Sequence, residues 1–256
     1  MAAIAFKTLG GSGPDVVLIH GFGSDRLSWL GNSPALLPFA RVHALDLPGH
    51  GESDTDAGDG TPEFLARGVA DALAAHGIGK AHLVGHSLGG GIALLLAASA
   101  PERVASLSLI APAGLGIGID AGFLAAYAGL ADAESAVALL RRLVVKPLLI
   151  NKMTVQRVLA QLAREGARDA LKSIATQLVA HQAELAAAAT RVAGYGTPRL
   201  VIWGANDSIN PIDAARVGAF GGNLLNVADS AHLPHIENPR PVNEQLVCFL
   251  QEQAPD

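Results

Sequence analysis

The sequence is poor in the features that mark several common classes of protein. Its 256 residues include a single cysteine, Cys248, so no disulfide can form within the chain. Only 16% of the residues are charged, the formal net charge is -5, and lysine and arginine are nowhere clustered. We therefore expect neither nucleic acid nor an anionic membrane as a partner. No apolar run reaches the roughly 18 to 20 residues of a membrane span.

Other missing features indicate the cellular compartment and the class of protein. The N-terminus lacks a charged segment followed by an apolar one, so no secretory signal is predicted and we expect a cytoplasmic protein. Half of the residues are hydrophobic, which excludes a disordered chain. The length suits one large α/β domain or a core with an insertion. Cys248 lies in an apolar helical pattern and is predicted to fill the core.

Strand and helix patterns alternate along much of the chain, which is typical of a mostly parallel sheet flanked by helices. The predicted strands are 3–9, 15–20, 42–46, 82–85, 104–110, 200–203 and 223–227. The helices predicted to flank them are 33–39, 62–76, 87–100 and 240–251. The glycine-rich segment 10–14 is predicted to be a hairpin turn between the first two strands.

The middle of the chain has a different pattern. Between residues 120 and 191 Leu, Val and Ala recur at helical spacing, and no strand is predicted. We therefore predict a core formed by residues 1–119 and 192–256 and a helical lid, or cap, at 120–191. This lid would cover the carboxyl ends of strands 104–110 and 200–203, the edge at which ligands bind in open α/β sheets.

The motif Gly85-His86-Ser87-Leu88-Gly89 joins a predicted strand to a predicted helix. It fits the G-x-S-x-G pattern of a nucleophile elbow, in which a serine on a strained turn raises its hydroxyl above the sheet. Glycines are needed on either side because larger side chains would collide with the neighbouring strand and helix. The alternative is an ordinary glycine-rich turn with a serine that takes no part in chemistry.

A serine hydroxyl becomes a good nucleophile only when a base removes its proton and a third group orients that base. His232 follows the last predicted strand after a short polar loop, and we predict it as the base, with His235 as its competitor. Asp207 lies just past strand 200–203 and is predicted to orient His232. The alternative is a turn or helix-capping aspartate, a description that fits Asp213 better.

Acyl transfer also needs donors for the oxyanion that forms during the reaction. We predict the backbone N–H groups of Leu88, which follows the serine, and of Phe22 in the segment His20-Gly21-Phe22-Gly23. His20 itself is expected to brace this loop. The residues predicted to line the substrate pocket are Gly21, Gly23, Trp29, His86 and His235. No metal site is predicted, because no H-E-x-x-H or similar ligand spacing occurs.

Taken together, these motifs resemble the α/β-hydrolase superfamily. The residues that carry the resemblance are His20-Gly21-Phe22-Gly23, Asp46-Leu47-Pro48-Gly49-His50-Gly51-Glu52-Ser53, Gly85-His86-Ser87-Leu88-Gly89-Gly90, Gly204-Ala205-Asn206-Asp207 and Ala231-His232. The resemblance implies the α/β-hydrolase fold and a Ser-His-Asp enzyme. It leaves the substrate open, since the superfamily includes esterases, lipases, C–C bond hydrolases, peroxidases, dehalogenases and acyltransferases. A serine nucleophile argues against the haloalkane dehalogenases, which use aspartate.

A closer resemblance lies in Leu109-Ile110-Ala111-Pro112-Ala113-Gly114-Leu115-Gly116 and Ile119-Asp120-Ala121-Gly122-Phe123. These stretches look like the hydrolase-type catalytic domain of the dihydrolipoyl acetyltransferases of acetoin dehydrogenase complexes. That resemblance implies acetyl transfer from a lipoyl thiol to coenzyme A, with subunits of the dehydrogenase complex as partners. Residues 1–9 already fit the first strand of the fold, so a preceding lipoyl domain is not expected.

Four functional hypotheses follow. The leading one is a carboxylesterase-like serine hydrolase that cleaves a small, fairly apolar ester or thioester through an acyl-enzyme, without a cofactor. The alternatives within enzymes are the acetyltransferase, which would use coenzyme A and a lipoyl group, and a C–C bond hydrolase. The fourth is a non-catalytic receptor that keeps the pocket for ligand recognition. The sequence does not indicate the oligomeric state.

Overall fold

The computed structural model describes residues 3–253, and its centre is a seven-stranded sheet in the order β1-β3-β2-β4-β5-β6-β7. The strands are β1 (Phe6–Gly10), β2 (Asp15–Ile19), β3 (Arg41–Leu45), β4 (Ala81–His86), β5 (Val104–Ile110), β6 (Arg199–Gly204) and β7 (Asn223–Val227). β1 pairs with β3 in the antiparallel sense, and every other neighbouring pair is parallel. The predicted mostly parallel sheet is confirmed.

The first connection differs from its prediction. β3 lies between β1 and β2, so segment 10–14 is a crossing loop and the hairpin prediction is wrong. Gly11 and Gly13 have φ of 80° and 111°, the left-handed region that glycine adopts without strain. A Cβ on Gly11 would lie 2.0 Å from the carbonyl oxygen of Ala40, so this loop runs directly against the backbone that leads into β3.

Helices cover both faces of the sheet. The helices outside residues 120–193 are α1 (Ser33–Leu36), α2 (Pro62–Ala75), α3 (Leu88–Ser99), α9 (Ala214–Phe220), α10 (Pro234–Glu237) and α11 (Pro239–Glu252). Helices α1 and α11 share one apolar cluster with Val16 and Leu18 of β2, and α2, α3 and α9 belong to the cluster on the other face. Helix α9 was not predicted.

Helix α11 corrects the prediction for Cys248. The helix buries Val242, Leu246 and Phe249, whereas Cys248 is exposed. The thiol points to the solvent side and lies 3.5 Å from the carboxylate of Glu252, one turn further on. Cys248 therefore fills no part of the core.

Five helices lie between β5 and β6, in the region predicted as the cap. They are α4 (Ala121–Gly129), α5 (Ala133–Leu140), α6 (Lys152–Leu162), α7 (Ala167–Ala180) and α8 (Gln182–Ala193). Helices α7 and α8 follow each other directly and are separated at His181. Helix α8 packs on α3, where a Cβ on Gly91 would lie 3.2 Å from Leu185. The division into core and cap at residues 119 and 192 stays a prediction. No helix within residues 3–253 is both long enough and apolar enough to cross a membrane.

Candidate active site

Ser87 occupies a strained turn between β4 and α3. Its φ is 50° and its ψ is -113°, a conformation that costs a serine free energy. Three backbone hydrogen bonds hold it. The Ser87 N–H donates to the carbonyl of Ile110 at 2.9 Å, and the Ser87 carbonyl accepts from Gly91 at 3.0 Å and Ala113 at 2.9 Å. The turn is thus fixed between β5 and the first turn of α3.

The two glycines of the motif are required by close backbone contacts. A Cβ on Gly85 would lie 2.5 Å from the carbonyl oxygen of Gly89. A Cβ on Gly89 would lie 2.3 Å from the carbonyl oxygen of Ile19, at the end of β2. Real Cβ atoms do not come so close to backbone oxygens, so each position accepts only glycine. This is the geometry that the G-x-S-x-G pattern predicts.

The structure brings Ser87, His232 and Asp207 into one chain of hydrogen bonds. His232 Nε2 lies 3.1 Å from Ser87 Oγ, and His232 Nδ1 lies 2.7 Å from Asp207 Oδ2. The other carboxylate oxygen, Oδ1, accepts the backbone N–H groups of Ile209 at 2.9 Å and Asn210 at 3.0 Å. All three side chains are buried. Asp207 is thereby held with one oxygen facing the imidazole.

Asp213 is a helix-capping aspartate, the alternative role that was considered for Asp207. It is the N-cap of α9, where its Oδ1 accepts the N–H groups of Ala215 and Arg216, both at 3.0 Å. The carboxylate therefore satisfies donors at the start of a helix and lies outside the hydrogen-bonded chain of Ser87.

A buried carboxylate that the sequence did not single out holds the loop of His232. Glu237, 5% exposed, accepts the N–H of Ala231 through Oε1 at 2.6 Å. Its Oε2 accepts the N–H groups of Val145 at 2.6 Å and Lys146 at 3.1 Å, in the segment between α5 and α6. One side chain thus joins the residue before His232 to the helical region above the site. The available signal was that Glu237 is the one Asp, Glu, Lys or Arg in segment 230–239.

The N–H groups predicted to bind an oxyanion lie beside Ser87. Within residues 3–253 neither Phe22 N–H nor Leu88 N–H donates a hydrogen bond to a protein group. Leu88 begins α3, so its N–H lies at the positive end of the helix dipole. A Cβ on Gly21 would lie 3.2 Å from the Cβ of Ser87, which places the loop of Phe22 against the serine.

His20 braces this loop, as predicted. Its Nε2 accepts the N–H of Leu47 at 2.9 Å, so Nδ1 carries the proton and donates to the carbonyl of Gly21 at 2.8 Å. Burial lowers the pKa of His20 to about 4, which keeps the ring neutral at physiological pH.

Three contacts tie the residues after Phe22 to the helices above. The Tyr127 hydroxyl donates to the carbonyl of Gly23, and Gln161 Nε2 donates to the carbonyl of Ser24 at 3.3 Å. Arg157 forms an ion pair with Asp25. Three successive residues are therefore attached to α4 and α6.

A cavity of about 370 Å³ lies beside Ser87, between the sheet edge and helices α4 to α6. Phe22, Gly23, His86, Ser87, His232 and His235 line it on the side of the sheet. Most of the facing wall is apolar and includes Ile119, Phe123, Leu124, Leu140, Ile150 and Val158. The cavity size and composition are typical of small-molecule sites.

The cavity corrects two predictions for the pocket. Trp29 is fully buried and lies outside the lining, where its ring packs against His235 with centroids 4.8 Å apart. Gly21 also lies outside the lining, because it faces the ring of His86, whose Nδ1 would be 2.5 Å from a Cβ there. Gly23, His86 and His235 do line the cavity.

The other two histidines of the cavity are neutral. Burial lowers the pKa of His235 to about 3, with the nearby His232 adding to the effect. Burial, with His235 and His232 nearby, lowers the pKa of His86 well below its usual value. His86 Nε2 donates to the carbonyl of His232 at 2.9 Å and so supports the loop from below.

Asp46, His50 and Ser53, which lie in a motif that carries the family resemblance, form no second site. Asp46 accepts the N–H of Glu52 at 2.8 Å and forms an ion pair with Arg26, and Ser53 Oγ donates to the carbonyl of Asp46. These contacts fix the turn after β3. Within residues 3–253 no three His, Cys, Asp or Glu side chains are grouped so that they could hold a metal ion.

Relatives of known name are similar to this chain in sequence. The acetyltransferase component of the acetoin cleaving system from Pseudomonas putida is 36% identical over 96% of this chain, which spans 66% of that relative's length. The pimeloyl-[acyl-carrier protein] methyl ester esterase of Aeromonas hydrophila is 31% identical, and the alignment covers 96% of this chain and 90% of the esterase.

A solved structure agrees with the fold. The meta-cleavage product hydrolase from Pseudomonas fluorescens IP01 superposes with a TM-score of 0.86 over 98% of this chain and 95% of the other, at 23% identity. That identity shows the fold alone. The family model described as alpha/beta hydrolase fold matches residues 14–239. The chain is therefore an enzyme that belongs to the α/β-hydrolase family.

Proposed function

We propose that the protein is a serine hydrolase that cleaves a small, largely apolar ester or thioester through an acyl-enzyme. The observation that carries this proposal is the hydrogen-bonded chain from Asp207 through His232 to Ser87 at the floor of an apolar cavity. The proposed reaction needs these residues in this order, because Asp207 orients His232 and His232 removes the proton of Ser87.

In the proposed mechanism Ser87 Oγ attacks the carbonyl carbon of the substrate while His232 Nε2 takes the hydroxyl proton. Asp207 accepts the hydrogen bond of Nδ1–H and stabilises the imidazolium that forms. The carbonyl oxygen, now negatively charged, accepts hydrogen bonds from the backbone N–H groups of Phe22 and Leu88. His232 then gives its proton to the leaving oxygen or sulfur, and the acyl group remains on Ser87. Water, deprotonated by His232, then attacks the acyl carbon, and its bond to Ser87 Oγ breaks as His232 returns the proton to Oγ, which releases the acid.

The walls of the cavity support the substrate class. The charged side chains that line the cavity, Asp25 and Arg157, are paired with each other, so neither is left to bind a charged substrate. The two extra histidines are neutral. A volume of about 370 Å³ suits an uncharged acyl group of a few carbons.

The experiment is the Ser87→Ala variant assayed with short p-nitrophenyl esters, with a fluorophosphonate probe as a label of the active serine. We expect kcat/KM to fall roughly 10³-fold or more and the labelling to disappear. Ser99→Ala, on the last turn of the same helix α3, is the matched control and should keep the wild-type kcat/KM and the labelling. Full activity in Ser87→Ala would refute the proposal.

A second candidate is acetyl transfer from a lipoyl thioester to coenzyme A. It is favoured by the 36% identity to the acetoin-cleaving acetyltransferase component, and it would make coenzyme A and the lipoyl group substrates and dehydrogenase subunits partners. The same acyl-enzyme would form, and a thiol would replace water as acceptor. Incubation with acetyl-dihydrolipoamide and coenzyme A distinguishes the two, since acetyl-CoA forms only by transfer, and acetate alone excludes it.

A further inference from the structure

Most of the exposed large apolar side chains belong to residues that line the cavity or that adjoin lining residues along the chain. The large hydrophobic residues that are exposed within residues 3–253 are Leu9, Leu27, Leu30, Ile117, Val145, Leu148, Met153 and Leu224. Five of these eight, which we call the apolar rim, are Leu27, Leu30, Val145, Leu148 and Met153. Leu148 is 90% exposed, Met153 75% and Leu30 65%. Grouped exposed apolar residues of this kind mark binding surfaces.

The apolar rim adjoins the cavity that contains Ser87. Leu27 and Leu30 line the cavity themselves, although both are exposed. The other three rim residues are the chain neighbours of Val144, Leu149 and Thr154, which also line it. Two of the five rim residues therefore belong to the cavity wall, and the other three lie next to wall residues along the chain.

The rim is held in this exposed position by hydrogen bonds on both sides of the opening. On one side Asp25 accepts the N–H of Leu27 at 2.8 Å and pairs with Arg157 of α6. On the other side the N–H of Val145 donates to the buried carboxylate of Glu237 at 2.6 Å. Both attachments use polar groups beneath the rim and leave its apolar side chains outside.

We propose that the apolar rim binds a linear alkyl chain of the substrate that extends out of the cavity. This inference rests on the proposed function, because it assumes that the scissile carbonyl lies at Ser87. A chain longer than the cavity must cross the rim, where leucine and methionine side chains remove its methylenes from water. A fully buried methylene raises affinity about fourfold, and contact on one side only gives about twofold for each carbon.

The test compares two series of substrates, so that the position of the chain is also found. In one series p-nitrophenyl esters carry acyl chains of two to twelve carbons, and in the other acetate esters carry alcohols of the same lengths. The measured quantity is the ratio of kcat/KM for the ten-carbon substrate to that for the two-carbon one. We expect the Leu148→Ser, Met153→Ser double variant to lower this ratio about tenfold in at least one series.

Ile117→Ser and Leu224→Ser are the matched controls, because both residues are exposed and apolar but neither lines the cavity nor is the chain neighbour of a residue that does. They should keep the wild-type ratio. An unchanged ratio in the double variant, in both series, would overturn the inference. So would a double variant that loses binding to phosphatidylcholine vesicles while its ratio with dissolved substrates is unchanged, since the rim would then bind a lipid surface.

The failure of this inference is distinguishable from the failure of the proposed function. If Ser87→Ala removes hydrolysis and the rim variants leave the ratio unchanged, only the rim is wrongly assigned. If Ser87→Ala keeps hydrolysis, the proposed function itself is refuted and the rim inference falls with it. Thermal unfolding of each rim variant checks that it folds. We expect these variants to fold, because the substituted side chains are exposed.

Discussion

The Glu237→Gln substitution tests whether one buried carboxylate holds both the loop of His232 and the segment between α5 and α6. The carboxylate accepts three backbone N–H groups, from Ala231 through one oxygen and from Val145 and Lys146 through the other. A glutamine has a single acceptor oxygen. Whichever way the amide turns, its NH₂ group faces at least one buried N–H.

The magnitude follows from these contacts. Loss of a hydrogen bond to a charged acceptor costs about 1.5–3 kcal/mol, and a buried N–H left without a partner costs about 1–3 kcal/mol. These terms overlap, so we expect Glu237→Gln to lower the free energy of unfolding by about 2–4 kcal/mol. Because Ala231 directly precedes His232, a shift of its backbone misaligns the base, and a displacement near 1 Å costs roughly 10²-fold in kcat.

The assay has three parts. Urea unfolding gives the stability change, p-nitrophenyl acetate hydrolysis gives kcat and KM separately, and hydrogen exchange reports the amides of Ala231 and Val145. We expect kcat to fall with little change in KM, and both amides to exchange faster. The control is Glu244→Gln on α11, whose pair with Arg240 is exposed and contributes at most about 0.5 kcal/mol. A Glu237→Gln protein with wild-type kcat and stability would refute the reasoning.

Three further predictions concern the fold and the hydrogen-bonded chain of the serine. Asp207→Asn should lower kcat about 10³- to 10⁴-fold, because the amide favours the wrong imidazole tautomer, and a loss below tenfold would point to another acid. Gly89→Ala should lower the free energy of unfolding by about 3 kcal/mol or more, since its Cβ would meet a β2 carbonyl at 2.3 Å, whereas Gly218→Ala, with open space around it, should not. The pKa values of His20 and His235, lowered to about 4 and about 3, mean that these rings gain protons on unfolding below pH 6.5. Stability, present in full above pH 6.5, should therefore fall as the pH drops towards 4, by up to about 1.4 kcal/mol per pH unit for each ring, and urea midpoints that stay constant from pH 7 to pH 4 would contradict this.

The sequence predicts the site well where the chemistry depends on local backbone shape. The strained turn of Ser87 needs glycines at 85 and 89, and these glycines are visible in the sequence as a motif. His232 and Asp207 follow the ends of apolar strands, and parallel strands bring their carboxyl ends to one edge of the sheet. Three residues that are far apart in the chain could therefore be placed together before the structure was known.

The errors arise where the outcome depends on packing between distant segments. Trp29 follows Phe22 closely in the sequence, but its ring packs inward against His235, 206 positions later. Glu237 was missed because its partners, at 145, 146 and 231, share no local pattern with it. Cys248 belongs to an apolar stretch, yet the helical period turns it away from the buried face formed by 242, 246 and 249. The sequence of the glycine-rich loop 10–14 likewise does not show that a third strand, β3, lies between the two strands that the loop joins.

The attachment of Gly23, Ser24 and Asp25 to α4 and α6 has a consequence for the order of events in a turnover. Under the proposed mechanism the N–H of Phe22 stabilises the transition state, and the three residues that follow it are held by Tyr127, Gln161 and Arg157. Any movement that lifts these helices to admit a substrate also releases the tethers of that donor. Were the helices to open in this way, an ester would be cleaved only after they had returned and the donor was held again.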